Sequence, residues 1–263
     1  MKKKRKEKKD WLRELIRVMA RLRSQNGCPW DREQDHSTLK KYLIEESYEL
    51  IDAIDDRDDE GMCEELGDVL LQILFHSQIA EEEKRFDIQK VAQTCCEKLI
   101  RRHPHVFKGT HIEDAEGVKK QWEEIKRREK SGLVKSALDG VPRHLPALSQ
   151  AEKIQKKAAQ LGFDWKEVDG VVAKIDEELS EVKEELKSGD RKRIREELGD
   201  LLFAVVNLSR FQKESPEELL RDTVKKFNKT FQFNEKFVDQ SGRKWEDFTL
   251  DELEAFWRKS KKQ

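Results

Sequence analysis

The sequence predicts an all-α fold built as a tandem repeat of two helical units, and three observations carry that prediction. Apolar residues recur at three- and four-residue spacing along most of the chain, while strand signals are scarce, with two Tyr, five Pro and few β-branched runs. One acidic block occurs twice: Glu45-Glu46-x-x-Glu49 followed by Glu64-Glu65-Leu66-Gly67-Asp68, and Glu177-Glu178-x-x-Glu181 followed by Glu196-Glu197-Leu198-Gly199-Asp200. Each match lies 132 positions from its partner without a gap. At 263 residues the chain suits two units of about 120–130 residues.

Residues 1–10 open with MKKKRKEKK, a basic run lacking the apolar stretch of a signal peptide, and read as a disordered tail. The first unit is expected over 11–135. Trp11 to Arg23 forms a helix with Leu12, Leu15, Ile16, Met19 and Leu22 on one face; Asn26-Gly27-Cys28-Pro29-Trp30-Asp31 then breaks it. Ser37 or Thr38 starts a helix to about Ile54 with Leu39, Leu43, Leu50 and Ile54 inward. The return helix spans about Gly61 to Glu82, with Leu66, Val69, Leu70, Ile73, Leu74 and Phe75 as its apolar set. A third long helix, Ile88 to Arg102, stops at His103-Pro104, because the residue before proline avoids helical angles. A very polar helix over 113–130 carries Val118, Trp122 and Ile125.

Residues 136–146, rich in Pro and Gly, form the expected linker, and 147–263 the second unit. There the helices are Ala147 to Leu161, Val168 to Lys187, Lys192 to Phe211, one from Pro216 to about Phe237, and a short one from Asp251 to Lys259. Proline at the first turn of the fourth is tolerated, since its missing N–H has no intrahelical partner there. The segment Phe163-Asp164-Trp165 corresponds loosely to Cys28-Pro29-Trp30.

Residues three and four apart share a helix face, so Glu178 and Glu181 point together, as do Glu197 and Asp200. If Ser188-Gly189-Asp190 is a hairpin turn, the two pairs are equidistant from Gly189 and meet at one level, roughly 12–16 Å from it. Glu46, Glu49, Glu65 and Asp68 repeat this symmetry about Arg57. Converging carboxylates without His or Cys are hard oxygen ligands suited to Mg²⁺, with Mn²⁺ as a substitute. Mg²⁺ commonly takes its remaining ligands from substrate phosphates. A solvated acidic face is the plain alternative, and the doubled, turn-symmetric pattern counts against it.

The second copy also carries cations: Lys174 one turn before Glu178 and Arg193 one turn before Glu197, where the first copy has Tyr42 and Gly61. Further basic candidates are Lys98 and Arg102 in the first unit, Lys226 and Lys229 in the second. The second half is therefore the more complete site for a polyphosphate. Gly67 and Gly199, mid-helix where glycine costs about 1 kcal/mol, point to close helix packing beside the acids. Phe163, Trp165 and Trp257 could stack a base, although packing is their commoner use.

A net charge of −1 supplies no overall field for nucleic acid, and no segment approaches the length of a membrane span. Cys28, Cys63, Cys95 and Cys96 have no disulfide or zinc spacing, and adjacent cysteines diverge on a helix; a reduced cytoplasm fits. Four-helix di-metal oxidases need Glu-x-x-His ligands, and no such His is present.

With the two acidic motifs, CPWD at 28–31, RRHPHVF at 101–107 and GFDW at 162–165, the chain resembles the MazG family over nearly its whole length. The resemblance implies Mg²⁺-dependent hydrolysis of nucleoside triphosphates at the α–β phosphoanhydride, giving nucleoside monophosphate and pyrophosphate. It implies Glu178, Glu181, Glu197 and Asp200 as metal ligands; by the internal repeat Glu46, Glu49, Glu65 and Asp68 form a second set, whose missing cations count against full activity. Glu178 or Glu177 is the candidate proton acceptor. Lys174, Arg193 and Lys226 match phosphate-contacting positions and Trp257 one near the nucleotide. Where the family often has a basic residue, this chain has Thr230, with Lys229 as the stand-in. The resemblance further implies a homodimer or higher oligomer whose subunits complete a four-helix-bundle core. The rival from another class is a non-catalytic helical scaffold with vestigial acidic clusters.

Overall fold

The computed structural model describes residues 9–109, 112–129 and 136–260, so most of the basic tail and residues 130–135 lie outside the described residues. Among the described residues all regular structure is helical. The chain divides into two compact units, Met1–Glu129 and Lys130–Gln263.

The first unit holds α1 (Trp11–Arg23), α2 (Pro29–Glu33), α3 (Lys40–Asp56), α4 (Asp59–Glu82), α5 (Ile88–Arg102), α6 (Pro104–Phe107) and α7 (Ala115–Glu129). Aspartates start three of these helices: Asp10, Asp58 and Asp87 accept hydrogen bonds from Arg13, from Glu60 and Gly61, and from Lys90 backbone N–H groups. α3 and α4 form the expected hairpin, and Arg57 makes its turn in the left-handed region at φ 56°. The core lies at the end of the hairpin remote from that turn, where Met19, Leu39, Leu74, Phe75 and Ile79 are buried together. Of the expected inward residues of α3 and α4, Leu43, Ile54, Leu66 and Ile73 are exposed. Within the unit, α1 and α5 pack on α4, but they cover only its core end.

The second unit holds α8 (Ala147–Ala159), α9 (Val168–Ser188), α10 (Arg191–Phe211), α11 (Pro216–Ser241) and α12 (Leu250–Ser260), with one 3₁₀ turn at Trp245–Asp247. α9 and α10 are the second hairpin. Gly189 supplies its left-handed turn at φ 76°, and Asp190 caps α10 by accepting from Lys192 and Arg193 N–H groups. α8 packs on α10 and α11, and α11 on α12. Lys157 Nζ donates to the Asp139 carbonyl at 2.9 Å, so residues of the expected linker are held against this unit. Here too the hairpin keeps bare apolar side chains beside the acids, Leu198 and Leu202 among them.

The two units anchor the loop before the hairpin differently. In the first, Arg23 of α1 donates to the carbonyls of Asp31 and Gln34 and pairs with Glu82 at 2.8 Å. In the second, Arg210 of α10 reaches Asp164 at 2.6 Å and Asn207 at 2.8 Å. The position equivalent to Arg23 is Gln155, and the one equivalent to Arg210 is Gln78. No described helix is long and apolar enough to cross a membrane.

Candidate metal centre

In the second hairpin Glu178 and Glu181 come from α9 and Glu197 from α10. One carboxylate oxygen of each lies within 4.8 Å of the other two. Glu178 is buried at 5% exposure, which an isolated charge would not tolerate. Its compensation is Lys174, whose Nζ lies 2.7 Å from Glu178 and 2.8 Å from Glu177. Those two hydrogen bonds hold the ammonium well above the usual lysine range, so it stays charged. Glu181 shows the strain of the arrangement: desolvation, and then the charges of Glu178 and Glu197, push its carboxyl above the ordinary value.

The expected fourth acid departs from the group. Asp200 is exposed and does not come within that distance of all three glutamates. Arg193 also departs, since its Nη1 binds Glu185 at 3.0 Å, on the other helix of the hairpin. The Glu185 carboxylate accepts a second bond from Ser188 Oγ at 2.7 Å, and these two donors hold it below the usual carboxylate range. Glu185 was not among the expected site residues. It was available to the same symmetry argument, because Glu185 and Arg193 are equidistant from Gly189.

The first hairpin brings Glu46, Glu49 and Glu65 within the same 4.8 Å. Asp68 stands outside that grouping, yet its charge and those of the other acids add to desolvation in raising both Glu46 and Glu65. Among the described residues no ion pair joins Glu46, Glu49 or Glu65 to a cation, and Glu65 Oε2 is buried with no hydrogen-bond partner. At the positions of Lys174 and Arg193 stand Tyr42, whose ring packs edge-on against Trp30, and Gly61.

The remaining expected residues sit on α11 and α12. Lys226 and Lys229 are exposed; Thr230 is buried and its hydroxyl donates to the Lys226 carbonyl at 2.8 Å, so it is spent on its own helix. Trp257 is half-buried, its ring 4.9 Å from Phe227. Trp165 lies against Gly170, where an added methyl would come within 2.3 Å of its ring, and Phe163 is 83% exposed. The packing expected at Gly67 and Gly199 is not met within either unit among the described residues. A methyl group at either would touch nothing within 4 Å, because both face outward beside the exposed Leu66 and Leu198. His103 packs on Trp122 at 4.9 Å, while Cys95 and Cys96 are exposed thiols; these residues form no metal-ligand group.

Both glutamate triads fit a hard divalent cation. In each, three carboxylate oxygens lie within 4.8 Å of one another with no His or Cys in the group, the hard-oxygen donor set that Mg²⁺ takes. The raised carboxyls of Glu181 and Glu65 and the orphaned Glu65 oxygen mark negative charge in want of a positive partner.

Comparison with known proteins agrees with this geometry. A family model described as the MazG nucleotide pyrophosphohydrolase domain matches residues 34–107 and 166–232, and each match contains one hairpin with its triad. A Thermotoga maritima protein named nucleoside triphosphate pyrophosphohydrolase/pyrophosphatase MazG is 49% identical over 249 residues, 94% of this chain and 94% of its own. The nucleoside triphosphate pyrophosphohydrolase of Escherichia coli K12 is 42% identical, covering 95% of this chain and 96% of its own. The uncharacterized protein YabN of Bacillus subtilis is 46% identical over 93% of this chain but only 50% of its own length. With its domain matched twice and relatives this similar from end to end, the chain belongs to the MazG family of nucleotide pyrophosphohydrolases.

Proposed function

We propose that the chain hydrolyses nucleoside triphosphates between the α- and β-phosphates, releasing nucleoside monophosphate and pyrophosphate, at the second hairpin. The observation that carries this is the buried Glu178 joined by Glu181 and Glu197, with Lys174 bonded to it. The three glutamates would hold Mg²⁺, or Mn²⁺ in its place, with Asp200 swinging in from the surface as a further ligand. When bound, the ion would supply charge neutralisation for the leaving pyrophosphate and a lowered pKa for the attacking water.

The chain's own side chains do the rest. Lys174 and Arg193 offer N–H donors to phosphate oxygens, and Lys226 and Lys229 add positive charge from α11. Glu178 would be committed to holding the ion, so Glu177, tied to the same lysine but outside the triad, would be left to accept the proton of the water. Trp257 offers a ring face to the nucleotide. The first hairpin has a triad with no ion-paired cation among the described residues and serves as a metal site of lower activity. Its comparison with the second is direct: Glu178→Ala abolishes pyrophosphate release from a nucleotide panel, while Glu46→Ala leaves most of it. Full turnover in Glu178→Ala would overturn the assignment.

The apolar side chains left bare beside both triads, Leu66, Leu198 and Leu202, support a homodimer or higher oligomer in which a second copy covers them. Light scattering on the purified protein tests this. The free thiols fit a cytoplasmic enzyme.

A further inference from the structure

A carboxylate outside the triad is built into the second hairpin together with the arginine it binds. Glu185 lies four residues beyond Glu181 on α9, and Arg193 four residues before Glu197 on α10. Both therefore sit about 6 Å nearer the turn than Glu181 and Glu197, one on each helix. Glu185 Oε1 accepts from Arg193 Nη1 at 3.0 Å, and its Oε2 accepts from Ser188 Oγ at 2.7 Å. The Glu185 side chain is 16% exposed while that of Arg193 is 65% exposed, so the acid is the fixed member and the guanidinium the presented one. The repeat supplies an internal control: the equivalent residues of the first hairpin are Ala53, Asp56 and Gly61. Acid, hydroxyl and arginine are thus present together in one copy and missing together in the other.

We propose that Glu185 is a positioning residue for triphosphate binding, holding the Arg193 guanidinium at the turn-side edge of the glutamate triad with its remaining N–H donors directed to the phosphates. An unrestrained arginine loses rotamer freedom each time it grips a phosphate, and a prior anchor removes that cost. Arginine has five N–H donors; Glu185 engages one nitrogen and leaves the rest of the fork. At the other end of the triad Lys174 is held in the same manner by Glu177. The proposal rests on the hydrolase reading through the role given to Arg193.

The test is a double-mutant cycle on the full chain with Glu185→Gln, Arg193→Ala and both. Pyrophosphate release gives KM and kcat; calorimetry with an α,β-methylene triphosphate and Mg²⁺ gives affinity without turnover. Loss of one immobilised side chain's pre-ordering predicts that Glu185→Gln raises KM and weakens analogue binding about three- to tenfold, with kcat within about twofold. In the Arg193→Ala background the same change should add nothing. An unchanged KM and affinity in Glu185→Gln, a fall confined to kcat, or an equal loss in the Arg193→Ala background each overturns the proposal. If the wild-type protein binds the analogue but releases no pyrophosphate, the hydrolase reading fails and the binding cycle still decides for or against Glu185. A wild-type protein that binds no triphosphate sinks both.

Discussion

Lys174→Met removes the ammonium from a buried carboxylate while keeping most of the stem. Glu178's side chain is 7% exposed and Lys174's is 36% exposed, so water reaches one partner and hardly the other. Stranding a fully buried charge costs roughly 3–5 kcal/mol. A charge-assisted hydrogen bond is worth about 1.5–3 kcal/mol, and screening on the lysine side reduces this to about 1–2 kcal/mol. For a unit of this size that is a drop of about 4–7 °C in its melting transition. The drop is expected in EDTA. In excess Mg²⁺ it should shrink below about 2 °C, because a cation bound by the triad replaces the lost ammonium. Adding Glu178→Gln to Lys174→Met should restore most of the stability in EDTA, since the stranded charge is then absent. Calorimetric melts of the three variants with and without Mg²⁺ make the measurement. An equal drop in both conditions would show that no divalent ion enters beside Glu178.

Gly199→Ala should raise the melting temperature of the isolated subunit, since a helix gains about 0.5–1 kcal/mol and no atom of the described residues lies within 4 Å of the new methyl. If it instead disrupts assembly seen by light scattering, a second copy packs there. Arg57→Gly should stabilise the first unit by about 0.5–1 kcal/mol in urea titrations, because it relieves a left-handed non-glycine turn. His76 gives a pH signature. Burial and the neighbouring His36, whose Nδ1 is 2.7 Å from its own, hold His76 below the ordinary histidine value. Between that lowered value and about 6.5 the unfolded chain binds more protons than the folded one. Stability of the first unit should therefore be full above that range and fall as pH drops through it. Glu46 and Glu65 in the same unit are raised as well, so the readout is the difference between wild type and His76→Gln in urea midpoint against pH. A constant difference across the range would refute the account.

Much of this was written in local chemistry. α1 and α5 begin and end where Asp10, Asp87 and the His103-Pro104 stop place them, and both hairpin turns fall at the residues about which the acids are symmetric. Five residues of α2, four of α6 and the 3₁₀ turn are too short for a periodic signal. The three-and-four rule found Lys174 with Glu178 because both lie on one helix. It missed Arg193 with Glu185 because that bond crosses a turn. The surroundings of Asp200 and Gly199 were not legible for a different reason. What faces an outward residue is decided by whatever lies opposite, and spacing along one strand of chain carries no information about that.

The loop-anchoring arginines have drifted to opposite helices, and this makes the duplicated hairpins poor spare parts for each other. Grafting α3–α4 onto α8 would bring Gln78 to meet Gln155, leaving no guanidinium to tether the preceding loop. The reciprocal graft would crowd Arg23 and Arg210 into one place. Ancestral symmetry survives in the carboxylates, while the scaffolding around them has become private to each half, so exchanging halves requires exchanging their buttresses as well.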